Sequence, residues 1–533
     1  MTSARLILAL DQGTTSSRAI IFEAEPRGSD RPLPDLPGSL GPANCSNDGK
    51  TVSHRGPTVL SSRIVEQREF PQHTPTPSEV EHDPEEIWDS QISSARLAVA
   101  KAGGGESIAA IGITNQRETT ILWERSSGKP CAPAIVWQSR VSAGICDEFR
   151  RAGHEETVRR RTGLLVDPYF SATKIVHLMR RDPSLKAAAA RGEVLFGTVD
   201  SFLIWRLTGG RVHATDVTNA SRTLLFDIHE GGWSAELCGL FGVPMQMLPE
   251  VRPSCADFGL ADPKWFGSSV PIMACAGDQQ SAAFAQGCLS RGDAKTTYGT
   301  GAFLMFCTGS EAVPSRSGLL TTPGCVCGPE RNYFLEGSVF VAGAAVQWLR
   351  DGLGIIRRAS DIESLAASVP DTNGVTFVPA LTGLGAPVWD ADARGAILGI
   401  TRGTTAAHIA RATLEGIVAS VADVVECMRQ DSGLDLARLR VDGGAAANDL
   451  LMQLQSDWLG VPVERPAVLE STALGAALLA GRACGLLNAA TASPIEAVFH
   501  PTIDSDTRRR KLAAWRDAVG RVSSRRPDPP TMD

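Results

Sequence analysis

Leu8-Ala9-Leu10-Asp11-Gln12-Gly13-Thr14-Thr15-Ser16-Ser17-Arg18-Ala19-Ile20-Ile21-Phe22 is an apolar run, a polar turn and a second apolar run, and its reading decides the fold. The pattern predicts a β-hairpin whose tip is made for phosphate. Gly13 lets the backbone approach an anion, the hydroxyls of Thr14, Thr15, Ser16 and Ser17 add donors to the main-chain amides, and Arg18 adds a permanent positive charge. Asp11, at the end of the first run, is placed to hold Mg²⁺ through water beside the phosphates. Alone, the same turn would serve equally as an ordinary polar hairpin.

Around this stretch the 533-residue chain is too long for one core and implies two large domains. Its 43% hydrophobic and 21% charged content is that of a globular protein, and a net charge of −7 leaves no nucleic-acid footprint. No apolar stretch approaches membrane-spanning length, so no integral membrane segment is expected. The first apolar run leads straight into Asp11 without a small-residue cleavage pattern; it reads as a strand, and a cytoplasmic location is expected. The 12 cysteines are scattered, and Cys325 and Cys327 stand too close for zinc ligation; free thiols are expected. Residues 24–62, rich in Pro, Gly, Ser and Asp with no hydrophobic period, read as a loop insertion, disordered in part.

Beyond the insertion, strand and helix alternate. Ile64 to Phe70 alternates as a strand, and Pro84 opens a helix through Ile87, Trp88, Ile92 and Leu97. The buried strand Ile108–Thr114 ends in Asn115-Gln116-Arg117-Glu118-Thr119-Thr120, and Ile135-Val136-Trp137 reads as a short strand. Val270–Ala276 stops at Gly277-Asp278-Gln279-Gln280. Strand termini of this kind are where α/β folds place ligands. Ala294 to Phe306 then repeats the opening logic around Gly299-Thr300-Gly301, which indicates an internal duplication with phosphate held between two facing hairpins. A third glycine turn follows at Asp442-Gly443-Gly444, and the chain lacks the Gly-x-x-x-x-Gly-Lys-Ser/Thr loop of a helix-borne phosphate site. Helices are predicted over His408–Met428, Asn448–Leu459 and Ala473–Ala483. Asp278 is placed either to take a proton from a substrate hydroxyl or to cap a helix, and Arg117–Glu118 is either a ligand-binding pair or a solvated one.

The stretches Asp11–Arg18, Ile113–Trp123, Asp167–Phe170, Ala276–Gln280, Tyr298–Gly301, Gly383–Trp389 and Val441–Asn448 together resemble the FGGY carbohydrate kinases, of the actin, Hsp70 and hexokinase superfold. The resemblance runs from about residue 6 to about residue 490. It implies an α/β protein of two duplicated ribonuclease H-like (actin-like ATPase) domains with a cleft between them, over 1–287 and 288–533. The implied activity is ATP-dependent phosphorylation of glycerol to sn-glycerol 3-phosphate with Mg²⁺, by a homo-oligomer, dimer or tetramer. It makes Asp278 the catalytic base. Arg117, Glu118, Tyr169 and Gln279 become the polyol contacts, and Trp137 and Phe303 cover the carbon backbone. On the nucleotide side it assigns phosphate contacts to Thr14, Thr15, Ser16, Arg18 and Thr300, and an adenosine pocket to Gly343, Gln347, Gly444 and Asn448. Asp11 and Asp278 are its metal-facing carboxylates. Two features depart from the family pattern. The 24–62 insertion is absent from the common bacterial form, and Asp262–Ser269 lacks the arginine and repeated glycines with which some members bind fructose 1,6-bisphosphate. That regulation is not expected here. The rival readings are a pentulose or tetritol kinase of the same family and a non-catalytic ATPase of the same superfold.

Overall fold

Two sheets of matching topology organise the chain, seen in a computed structural model that describes residues 6–25, 59–390, 392–468, 470–488 and 493–524. The first has strands β1 (Leu6–Gln12), β2 (Ser16–Glu25), β3 (Val59–Glu69), β4 (Ile108–Asn115) and β5 (Ile272–Gly277), in the order β5-β4-β1-β2-β3. The second has β6 (Ala294–Tyr298), β7 (Ala302–Gly309), β8 (Leu320–Pro323), β9 (Tyr333–Val339), β10 (Leu439–Asp442), β11 (Val463–Pro466) and β12 (Ile495–Phe499), in the order β8-β9-β7-β6-β10-β11-β12. In each, a hairpin and a third strand pair antiparallel, one further strand joins the first hairpin strand in parallel, and a second adds in parallel beyond it. The duplication anticipated from the two hairpins is therefore present in the strand order itself.

The helices that frame the site are α1 (Pro84–Lys101), α2 (Ser171–Arg181), α3 (Asp278–Ala285), α4 (Gly343–Asp351), α5 (Ala406–Ser432), α6 (Asp449–Leu459) and α7 (Ser471–Ala483). Successive residues of β1 feed opposite faces of the first sheet: Leu8 and Leu10 pack with Ile87 and Trp88 of α1, whereas Ile7 and Ala9 pack with Ala473, Ala476 and Ala477 of α7. The approach of α7 depends on small residues. A Cβ on Gly112 would stand 2.2 Å from the Ala476 carbonyl oxygen, and one on Gly475 would stand 2.0 Å from that of Ser281. The second sheet packs against the 27-residue α5.

Several expectations need adjustment. Residues 26–58, most of the expected insertion, lie outside the described residues, but β2 runs to Glu25 and β3 begins at Val59. Pairing with β2, Phe22 to Ser62 and Ala24 to Leu60, makes strand of a polar segment that has no strand signal of its own. The strand near Trp137 is only Ala134–Ile135. The expectation of free thiols fails at one pair: Cys255 and Cys327, 72 residues apart in sequence, form a disulfide with Cα atoms 4.8 Å apart. Among the described residues no helix is long and apolar enough to cross a membrane.

Candidate active site

The parallel pairing of β4 with β5 sets Asn115 opposite Gly277, so the segments that leave these two strands emerge side by side. Arg117 and Asp278 meet there, with Nε 3.2 Å from Oδ1. Gly277 makes the approach possible, since a Cβ there would stand 2.7 Å from the Arg117 Cδ. Asp278 is the first residue of α3 and Gly277 its N-cap; the carboxylate accepts the Gln279 N–H at 2.7 Å. Burial raises the Asp278 pKa while Arg117 opposes the rise. Glu118 holds left-handed backbone, with φ 63°. Its carbonyl accepts from Ser171 Oγ (3.0 Å) and Lys174 Nζ (3.1 Å) of α2, and Lys174 also reaches the Tyr169 carbonyl at 2.8 Å. The Tyr169 ring lies edge-on to Trp137 at 5.7 Å, and Trp137 in turn lies 6.4 Å from Phe303 on β7. Trp137 Nε1 donates to Thr14 Oγ1 at 3.0 Å, which ties this aromatic wall to the opening hairpin. Gln279 Oε1 is occupied by Lys295 of β6. One region therefore gathers Arg117, Glu118, Trp137, Tyr169, Asp278, Gln279 and Phe303.

The turns expected to hold phosphate also take shape, with differences. The Gly13 N–H closes on the Ser16 carbonyl at 2.9 Å, leaving Thr14 and Thr15 at the tip. Ser17 does not serve the tip: it is buried, bonding Gln12 and Ser90, because the strand alternation turns it into the core. Arg18 is drawn to Glu470 and stands 3.9 Å from Asp11. In the second hairpin the Thr300 carbonyl accepts the N–H groups of Ala342 and Ala344, and a Cβ on Gly343 would stand 2.6 Å from the Gly299 oxygen. Gly343 is thus seated against the Thr300 turn at the start of α4, and Gln347 is exposed one turn on. Gly443, at φ 84°, packs on the Tyr298 carbonyl, bringing the third turn to the second, and leaves Gly444 exposed. The Asn448 side-chain Oδ1 caps α6 by accepting the Leu451 N–H at 2.8 Å, a structural duty beside the expected one.

Asp11 is buried, accepts from Thr472 Oγ1 at 3.1 Å, and has its pKa pushed up to about 6 by burial, with Glu470 and Asp278 adding to the rise. A buried carboxylate with acidic neighbours that raise its pKa offers the hard oxygen donors that suit a divalent cation.

Four charged residues of the site escaped the sequence reading. Lys174 and Lys295 hold the backbone and Gln279 as described. Arg222 and Glu336 lie deepest: Arg222 Nε donates to Glu118 Oε1 at 2.5 Å, and Arg117 and Arg222 both grip the Glu336 carboxylate, at 2.7 and 2.9 Å and at 3.3 and 3.0 Å. The one signal in the sequence was a carboxylate alone in the apolar strand Tyr333–Val339, which needs a buried partner.

Residues 59–285 match the N-terminal domain and residues 294–484 the C-terminal domain of the FGGY family of carbohydrate kinases. The chain is 51% identical to a glycerol kinase from Bordetella parapertussis, over 97% of each chain. It is equally identical to one from Shewanella oneidensis, over 98% of this chain and 99% of that one. Its structure is similar to that of Plasmodium falciparum glycerol kinase with ADP, with a TM-score of 0.85 and 34% identity over 97% of this chain and 98% of that one. A gluconate kinase from Lactobacillus acidophilus shares the fold at 20% identity and a TM-score of 0.82. By its paired sheets, its two hairpins and this full-length likeness, the chain belongs to the FGGY family of carbohydrate kinases.

Proposed function

We propose that the protein transfers the γ-phosphoryl group of ATP to a terminal hydroxyl of glycerol, giving sn-glycerol 3-phosphate and ADP. The observation that carries this reading is the pocket-sized grouping of Arg117, Glu118, Tyr169 and Asp278 beside the Trp137–Tyr169–Phe303 wall. It offers hydroxyl donors and acceptors over a short apolar surface, which suits three carbons bearing three hydroxyls. Full-length identity of about half to glycerol kinases supports the same acceptor.

Asp278 acts as general base, drawing the proton from the attacking hydroxyl as phosphorus is approached; its raised pKa strengthens it for that task. Arg117 and Glu118 fix the other two hydroxyls, and Tyr169 adds a phenol. Gln279 offers its amide nitrogen, its oxygen being taken by Lys295. Thr14, Thr15, Ser16 and Thr300 supply the phosphate cradle, and Arg18 joins it by exchanging Glu470 for phosphate. Gly343, Gln347, Gly444 and Asn448 line the adenosine side. Asp11 and Asp278 would hold Mg²⁺, which when bound neutralises charge on the phosphates. The hydrophobic wall keeps water from the reacting centre.

The two units divide at 287/288, near the gap between the two family matches. We place the protein in the cytoplasm, where ATP is drawn on, as a homo-oligomer. ADP release measured with glycerol, dihydroxyacetone, erythritol, xylulose and no acceptor tests the activity. Glycerol-dependent release is expected; preference for xylulose, or release without acceptor, overturns it.

A further inference from the structure

Arg117 and Glu118 are adjacent and opposite in charge, and left to themselves they would close on each other. They stop short of a hydrogen bond: Arg117 Nε stands 3.8 Å from Glu118 Oε1, an ion-pair contact only. Each is held by a different partner. Glu118 Oε1 takes Arg222 Nε at 2.5 Å, and Arg117 turns both terminal nitrogens to Glu336, at 2.7 and 2.9 Å. Arg222 completes the chain by gripping the same Glu336 carboxylate at 3.0 and 3.3 Å. The result is a ladder of alternating charge, Glu118–Arg222–Glu336–Arg117, in which no side chain is more than 2% exposed. Two guanidinium groups offset two carboxylates, so the ladder carries no net charge into the interior.

The ladder is also assembled across the molecule. Arg117 and Glu118 follow β4 of the first sheet, whereas Glu336 lies within β9 of the second. Arg222 follows a helical turn at Val217–Ala220 and lies 5.6 Å from the Tyr169 ring and 5.3 Å from that of Phe170. Two of the four groups assigned to the acceptor hydroxyls, Glu118 and Arg117, thus have their side chains fixed by Arg222 and Glu336, and a third, Tyr169, lies under the Arg222 guanidinium. The left-handed backbone of Glu118 adds a reason for such support, because a conformation unfavourable to a residue with a Cβ persists only where its surroundings over-determine it.

We propose that Arg222 and Glu336 are positioning residues for the acceptor, holding Glu118 and Arg117 apart and aimed at the substrate hydroxyls, so that acceptor selectivity is set partly by a strand of the second sheet. The proposal rests on the assignment of Arg117 and Glu118 to glycerol. Loss of a charge-assisted hydrogen bond in the ladder lets the acceptor groups relax toward each other. The expected effect is a rise of about tenfold or more in the KM for glycerol, with the KM for ATP unchanged. Discrimination between glycerol and the two propanediols should narrow, because a misaligned pair no longer penalises a missing hydroxyl.

The test compares R222K, R222Q, E336D and E336Q with the wild-type full chain. Its readouts are steady-state constants for glycerol and ATP, relative turnover with 1,2- and 1,3-propanediol, and thermal melting of each variant. Partial recovery of glycerol KM in R222K over R222Q, and in E336D over E336Q, is expected. Folded variants with wild-type glycerol KM and wild-type discrimination overturn the proposal. So does a failure of all four to fold, or an equal rise in both KM values, since either assigns the ladder to stability alone. If the wild-type chain shows no glycerol-dependent turnover, the functional reading falls first, and that result is distinct from these.

Discussion

Asp278 couples two properties that a general base needs: a carboxylate one step from a strand end, and a pKa raised by burial yet restrained by Arg117. Asp278→Asn is nearly isosteric and should leave thermal stability and ATP binding close to wild type while turnover falls by about 10²- to 10⁴-fold. Calorimetric nucleotide binding set beside the rate separates those two effects. Glu336 makes a pH prediction. Between Arg117 and Arg222 its pKa is lowered from the ordinary 4.5 to about 2. A lowered folded-state pKa contributes stability that is fully present above 4.5 and is lost as pH falls toward about 2. Denaturation followed across that window should show this loss in the wild type, and E336Q should lack that component. The strand-end positions of Asp278, Arg117 and Glu118 were legible because polar groups at the ends of buried parallel strands stand out, while the roles proposed for them came from the family resemblance. Arg222 and Glu336 were not, since the contacts that give them meaning span 104 and 219 residues of sequence.

The hairpin Leu6–Glu25 was the easiest element to read, because apolar runs on both sides of a Gly-Thr-Thr turn leave few other conformations. Its neighbour β3 was harder at its start, where pairing with β2 rather than its own composition makes Ser61 and Ser62 strand. The helix α7 was legible as a helix, but nothing in its alanine-rich sequence tells which sheet it will cover. The answer lies in the closeness of backbones. Gly112→Ala would drive a Cβ to 2.2 Å from the Ala476 oxygen, backbone that yields only by shifting α7. The expected cost is about 1–3 kcal/mol, read as a lower urea midpoint. Gly444→Ala, whose Cβ meets nothing within 4 Å, should keep that midpoint and, if Gly444 lines the adenosine side, raise the KM for ATP instead.

At the scale of the molecule, Cys255 and Cys327 fall in segments matched to different family domains, so their bond is a covalent tie between the two halves. Cys255→Ser should destabilise the oxidised protein by about 4 kcal/mol, as expected for closing a loop of this length. A thiol reductant should lower the wild-type melting temperature toward that of the variant and leave the variant unmoved. The tie was invisible in the sequence, where spacing linked Cys327 to Cys325 instead. The duplicated architecture was visible, through its repeated hairpin, before any strand order was known. One consequence of α7 concerns the order in which the protein is made. The face of the first sheet bearing Ile7, Ala9, Ile20 and Phe22 is covered by residues that lie near 480. While a ribosome is still adding the residues between 287 and 483, at usual synthesis rates about 10–40 s, the finished first half waits with an apolar layer uncovered. A nascent chain halted at residue 287 should therefore sediment as aggregate or stay chaperone-bound, and one carried past α7 should be released.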